Sequence, residues 1–107
     1  MRTYSVIISD EAEADLVAIY DYIADRAGTN TAFRFVESIE TYCLGFASVP
    51  ERGTRRDDVR PGLRTVGFRR RATILFEFLP GSDRVVIHGI YYAGRSLSPD
   101  QAGGAEY

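Results

Sequence analysis

The residues able to do chemistry in this 107-residue chain are concentrated between Arg52 and Phe78. Arg52, Arg55, Arg56 and Arg60 precede a Pro61-Gly62 turn signal, and Arg64 follows it. Arg69, Arg70 and Arg71 then stand together, immediately before the apolar run Ala72-Thr73-Ile74-Leu75-Phe76-Glu77-Phe78. Eight arginines thus face two aspartates, Asp57 and Asp58, between positions 52 and 71. A guanidinium is permanently charged and offers five N–H donors in a planar fork, a geometry suited to carboxylates and phosphates. The functional expectation is that this stretch presents cations to an anionic partner from the edge of a sheet. The alternative is a solvated loop whose arginines pair with the acidic helices upstream.

The rest of the residue list prunes the catalytic options. The chain has one histidine (His88), one cysteine (Cys43) and no lysine. A Ser-His-acid triad would have to use His88, and no Gly-x-Ser-x-Gly elbow is present. Histidine-rich metal sites, an internal disulfide and a cysteine-based zinc site are excluded by the same counts. Gly103-Gly104 opens no helix, so no phosphate-cradling loop is expected and no cofactor is implied. Cleavage of RNA through its own 2′-hydroxyl remains open, because the substrate supplies the nucleophile. Arg64, Arg71 or Arg95 would carry the positive charge, and Glu77, His88, Tyr91 or Tyr92 the proton transfer.

The net charge of −2 hides a division. Residues 1–51 hold three arginines against nine acids, and residues 52–107 hold ten arginines against six. An acidic first half and a basic second half point to an anionic partner on one face. No apolar run approaches the ~20 residues of a membrane span, and the N-terminus lacks the apolar stretch of a signal peptide. The expected compartment is the cytoplasm.

The elements that must position these groups are well marked. Tyr4 to Ile8 is a short β-prone run, and Ser9 is a good N-cap before Asp10, Glu11 and Glu13. Leu16, Ile19, Tyr20, Ile23 and Ala27 form one apolar stripe, and Gly28 is the natural stop, so a helix is expected from about Asp10 to Ala27. Ala32, Phe35, Val36, Ile39, Cys43 and Phe46 make the stripe of a second helix, starting near Thr29 to Thr31 and ended by Pro50. So short a connection makes the pair an antiparallel hairpin. Glu51 to Gly62 reads as a loop. Leu63–Phe68, Ala72–Leu79 and Arg84–Tyr92 read as strands, the last two joined at Pro80-Gly81-Ser82-Asp83. Simple alternation would put Val85, Ile87, Gly89 and Tyr91 on one face of the final strand, and Val86, His88, Ile90 and Tyr92 on the other. Cys43 reads as a small core residue. The fold class is α+β: an N-terminal strand, a helical hairpin on one face of a small, mainly antiparallel sheet, in the order β-α-α-β-β-β. One domain is expected over 1–97, with a flexible tail over 98–107.

Several segments in this order resemble the ParE branch of the RelE/ParE toxin superfamily. Ser9-Asp10-Glu11-Ala12-Glu13-Ala14-Asp15-Leu16 with Ile19 and Tyr22-Ile23-Ala24 is similar to its first helix. Phe35-Val36, Ile39, Pro50 and Gly53 are similar to its second helix and exit. Arg60-Pro61-Gly62-Leu63-Arg64, the run Ala72–Phe78, Val85–Ile90 and Gly94-Arg95-Ser96-Leu97 complete the match. The resemblance implies a type II toxin neutralised by a ParD-like antitoxin, an acidic amphipathic segment that folds on the arginine-rich surface. ParE-like members poison DNA gyrase without catalysis of their own, whereas RelE-like relatives cut messenger RNA on the ribosome. For the first activity the target-binding arginines would be Arg60, Arg64, Arg69, Arg71 and Arg95. For the second the site would be Arg64, Glu77, Tyr92 and Arg95. A third option is an inert module that only binds an antitoxin. Two departures stand out: the lysines of the RelE site are missing, and Tyr92-Ala93 stand where the family has a histidine before Gly-x-Arg.

Overall fold

The structure, a computed structural model, describes residues 3–93; Arg95 and the expected tail lie outside the described residues. Its elements are β1 (Ser5–Ile8), α1 (Asp10–Ala27), α2 (Thr29–Leu44), β2 (Thr54–Arg55), β3 (Leu63–Phe68), β4 (Ala72–Leu79) and β5 (Arg84–Tyr92). Short 3-10 turns follow α2 (Gly45–Ala47) and β4 (Pro80–Ser82). The expected α+β order is present, with one addition. Two residues of the Glu51–Gly62 segment pair with β3 as β2 and extend the sheet to five strands, in the order β1-β5-β4-β3-β2. Among the described strands only β1 runs parallel to its neighbour.

The first helix begins and ends where the sequence chemistry dictates, whereas α2 starts at Thr29 without a side-chain cap and gives way to a 3-10 turn at Gly45, short of Pro50. Ser9 Oγ accepts the Ala12 N–H at 3.1 Å, so it satisfies one of the first-turn donors of α1. At the other end Gly28 adopts φ +93° and donates its N–H to Ala24 O at 3.0 Å. That backbone conformation is open to glycine and strained for other residues, and it lets one residue both end α1 and start α2. The return loop needs a second glycine. Gly53 has φ +78°, and a Cβ there would collide with the Thr65 carbonyl.

The hairpin covers one sheet face. Leu16, Ile19 and Ile23 of α1 and Ala32, Ile39 and Cys43 of α2 meet Ile74, Phe76, Val85, Ile87 and Ile90 in a single buried cluster. Phe46 stacks on Phe76 with ring centroids 4.6 Å apart. Burying side chains of this size contributes ~1.5–3 kcal/mol each. Cys43 is fully buried in the same layer. Burial, reinforced by Glu40, pushes its thiol pKa up to about 12, which fits a core residue and not a nucleophile.

The alternation expected along β5 fails at His88. Leu75 pairs with Gly89 but Phe76 pairs with Ile87, so β5 carries a one-residue bulge. Ile90 and Tyr92 therefore join Val85 and Ile87 on the helix-packed face, while Val86 and His88 face the other way. Past the bulge, β1 no longer covers the edge of β5. The carboxylate of Asp15, fully buried, takes over and accepts the Ile90 N–H at 2.9 Å. Among the described residues no helix is long and apolar enough to cross a membrane.

Candidate functional site

The arginines of the Arg52–Arg71 stretch separate into two populations. Those before Phe68 are engaged within the protein. Arg55 pairs with Asp57 at 2.6 Å, Arg56 with Asp58 at 3.3 Å and Arg60 with Glu77 at 2.8 Å. The Arg56 hydrogen bond holds the Asp58 carboxyl below its usual range. Arg52 lies over the rings of Tyr42 and Phe46 and donates to Val49 O, and Arg64 donates to Arg52 O at 3.0 Å. The loop's arginines thus pair with its own Asp57 and Asp58 and with Glu77 of β4.

Arg69, Arg70 and Arg71 behave differently. Arg71 N donates to Phe68 O at 3.1 Å, closing a β-turn within the three-residue connection, Arg69 to Arg71, between β3 and β4. Arg69 and Arg70 hold φ +50° and +58°, as the central positions of a type I′ hairpin turn require. Asparagine and glycine are the usual occupants. Each non-glycine residue in this left-handed region costs roughly 1 kcal/mol or more. No carboxylate among the described residues lies within salt-bridge distance of Arg69, Arg70 or Arg71, and all three are exposed.

The turn is braced from β5. Ala93 N donates to Arg71 O at 2.8 Å, and Arg71 Nη1 donates to the Tyr92 phenol at 3.4 Å. Tyr92 packs against Phe35 of α2 and Tyr22 of α1, with centroids 5.9 and 5.5 Å away. The Arg26 guanidinium sits 3.6 Å above the Tyr22 ring. Between them lies a notch of about 540 Å³, lined by Tyr22, Arg26, Thr31, Phe35, Arg71 and Tyr92, with a second hollow of the same size along Arg69, Arg70 and Arg71.

A third cluster occupies the sheet face away from the helices. Glu77 Oε1 lies 2.8 Å from Arg60 Nη2 and 2.9 Å from His88 Nε2, and the two nitrogens are 3.3 Å apart. His88 keeps the parity of Val86, which puts its imidazole on this face beside Glu77; the bulge redirects only the residues that follow it.

The expected site residues are thus dispersed. Arg69 and Arg71 are together at the turn. Arg60 belongs to the opposite face with Glu77. Arg64 shares the parity of Val66 and Phe68, on the helix-packed face at the β2 side of the sheet, and Arg95 lies outside the described residues. Arg64, Glu77 and Tyr92 do not converge. Glu77 points away from the face that holds Tyr92, and Arg64 is four residue steps, roughly 13 Å, along the strands from it. The turn site also draws on Arg70, which the sequence placed in the arginine run but not among the target-binding residues, and on Arg26, Tyr22 and Phe35, which sequence reasoning assigned no functional role. The signal for Arg26 was its place in the last turn of α1, next to Gly28, which the hairpin must bring to the β3–β4 end.

The model of the ParE toxin of type II toxin–antitoxin systems matches residues 6–96. The chain belongs to the ParE toxin family. As a family member it is a toxin of the type II toxin–antitoxin kind, on the branch of the RelE/ParE superfamily that its motifs resembled. Among solved structures it is similar to a chain of the chromosomal ParDE system of P. aeruginosa, at 27% identity and TM-score 0.71, covering 84% of this chain and 96% of that one. It also shares its fold with a chain of the Mycobacterium tuberculosis RelBE2 toxin–antitoxin complex, at 18% identity and TM-score 0.62, covering 86% and 93%. A search of curated protein sequences returned no match.

Proposed function

We propose that this ParE-family toxin acts in the cytoplasm by binding, with DNA gyrase as its target and the β3–β4 turn as its contact. The observation that carries this reading is the set of three adjacent, exposed guanidiniums, Arg69 to Arg71, without carboxylate partners among the described residues and carried on the tight β3–β4 turn. Flexible surface cations lose conformational freedom on binding. The Arg71 side chain is already held by the Tyr92 phenol and Arg69 lies over the Phe68 ring, which lowers that cost. A ParD-like antitoxin would neutralise the toxin by laying acidic residues on the same cations. Supercoiling by gyrase in the presence of the purified toxin tests the reading: inhibition or accumulated cleaved complex supports it, and unaffected activity at saturating toxin rejects it.

A RelE-type ribonuclease is the second reading, favoured by one observation. Arg60, Glu77 and His88 place a cation, a carboxylate and an imidazole within 2.8–3.3 Å of one another, groups that suit phosphodiester cleavage. Mapping of transcript ends after induction decides it, since intact messages exclude it.

A further inference from the structure

The notch beside Tyr92 and the hollow along the arginine turn share Arg71, Tyr92 and Ala93, so they form one continuous trough. Its two halves differ in chemistry. One is walled by aromatic surface: Phe35, Tyr92, and Tyr22 with the Arg26 guanidinium stacked 3.6 Å from its ring centre. The other is bounded by the three exposed guanidiniums of Arg69, Arg70 and Arg71. The aromatic half alone, about 540 Å³, is within the ~300–1,000 Å³ typical of small-molecule sites.

The two halves constrain the ligand jointly. Four arginines converge here, and no carboxylate among the described residues pairs with any of them. Arg71 uses one N–H on the Tyr92 phenol, which leaves its remaining donors for a ligand oxygen. An occupant must therefore be anionic at one end. At the other it must be flat, because ring surfaces and a stacked guanidinium reward planar π systems and offer few directed polar groups. We infer that the trough is a nucleotide site, taking the base in the aromatic half between Arg26, Phe35 and Tyr92 and the phosphate on Arg70 and Arg71. The same chemistry is presented by a free mononucleotide and by one unit of a single-stranded polynucleotide. The inference does not depend on gyrase being the target, because it concerns what the trough itself holds.

Titration of the full-length toxin with a 5′-mononucleotide, the matching nucleoside, inorganic phosphate and a ten-nucleotide single strand tests this, with NMR shifts locating the contact. The mononucleotide should bind about tenfold or more tightly than either half alone and shift the ring protons of Tyr92 and Phe35. Arg71→Ala should weaken it by about tenfold, and Arg70→Ala by somewhat less. Arg55→Ala, which removes an equal charge from an exposed ion pair elsewhere, should leave it unchanged. A single strand binding far more tightly than the mononucleotide assigns the site to a polynucleotide, and equal affinities assign it to the free nucleotide; both support the site. Binding of the mononucleotide no tighter than of phosphate, or equal losses from Arg55→Ala and Arg71→Ala, would overturn it. So would shifts confined to the opposite sheet face.

Discussion

Arg71, in the turn before β4, and Tyr92, the last residue of β5, are held together twice: Arg71 Nη1 meets the Tyr92 phenol at 3.4 Å, and the next residue, Ala93, donates its N–H to Arg71 O at 2.8 Å. This joins the β3–β4 turn, which carries three consecutive arginines, to the end of β5 and orients the Arg71 guanidinium. Tyr92→Phe keeps the ring packing on Phe35 and Tyr22 and removes only the phenol. It should change stability by no more than about 1 kcal/mol in urea unfolding, yet weaken growth arrest measurably in dose–response induction.

The turn itself separates function from stability. Arg69 and Arg70 hold left-handed conformations that asparagine and glycine adopt at lower cost. Replacing Arg69 by Asn together with Arg70 by Gly should stabilise the protein by about 1–2 kcal/mol in urea unfolding. The same variant should lose toxicity. A more stable protein with undiminished toxicity would remove the functional reason for keeping arginines at strained positions.

Asp15 should be a strong point of the fold and not of the site. It is fully buried and satisfies the Ile90 N–H on the part of β5 that β1 does not reach. Asp15→Ala leaves that donor without this acceptor, so unfolding should become easier by about 1–3 kcal/mol or more. Chemical denaturation read by circular dichroism checks it.

Much of the scaffold was legible because its punctuation is local. Ser9, Gly28 and the Pro80–Asp83 cluster mark their boundaries by side-chain chemistry within a few residues, and α1, β3, β4 and β5 run where those marks place them. The bulge at His88 was not legible, since only the register against β4 reveals it. Nor was β2, whose two residues have no strand character apart from β3. The site was half legible. The arginine run is plain in the sequence, but which members are spent internally depends on pairs as distant as Arg60 and Glu77. Two arginines at the head of a hairpin are also an unusual turn signal, so the run gave no hint of its own geometry.

Cys43 gives a pH signature. Its thiol pKa is raised to about 12 in the folded chain, above its ordinary value of 9.0, by burial and the nearby Glu40. A raised acid pKa favours the folded state while the thiol is protonated in both states. That contribution is complete below about pH 9 and declines from there to about pH 12, as the unfolded chain ionises first. Urea midpoints for the wild type should fall across this window more steeply than those of Cys43→Ala. A thiol reagent at pH 8 should react only after unfolding.

Glu77 and His88 discriminate the two functional readings. A double Glu77→Gln, His88→Gln variant keeps the strand and removes the acid–base pair. Under the binding account it should arrest growth as the wild type does, in the same induction assay; a ribonuclease would lose activity by orders of magnitude.

The central claim is that the exposed guanidiniums at the β3–β4 turn, without carboxylate partners among the described residues, grip the target. The most direct measurement is supercoiling by purified gyrase titrated with wild-type toxin and with a folded Arg69→Ala, Arg70→Ala, Arg71→Ala variant. The account predicts inhibition by the wild type and at least a tenfold loss of potency in the variant, about 1.4 kcal/mol or more of binding. Equal potency of the two proteins, or no inhibition by either at saturating concentration, would contradict it.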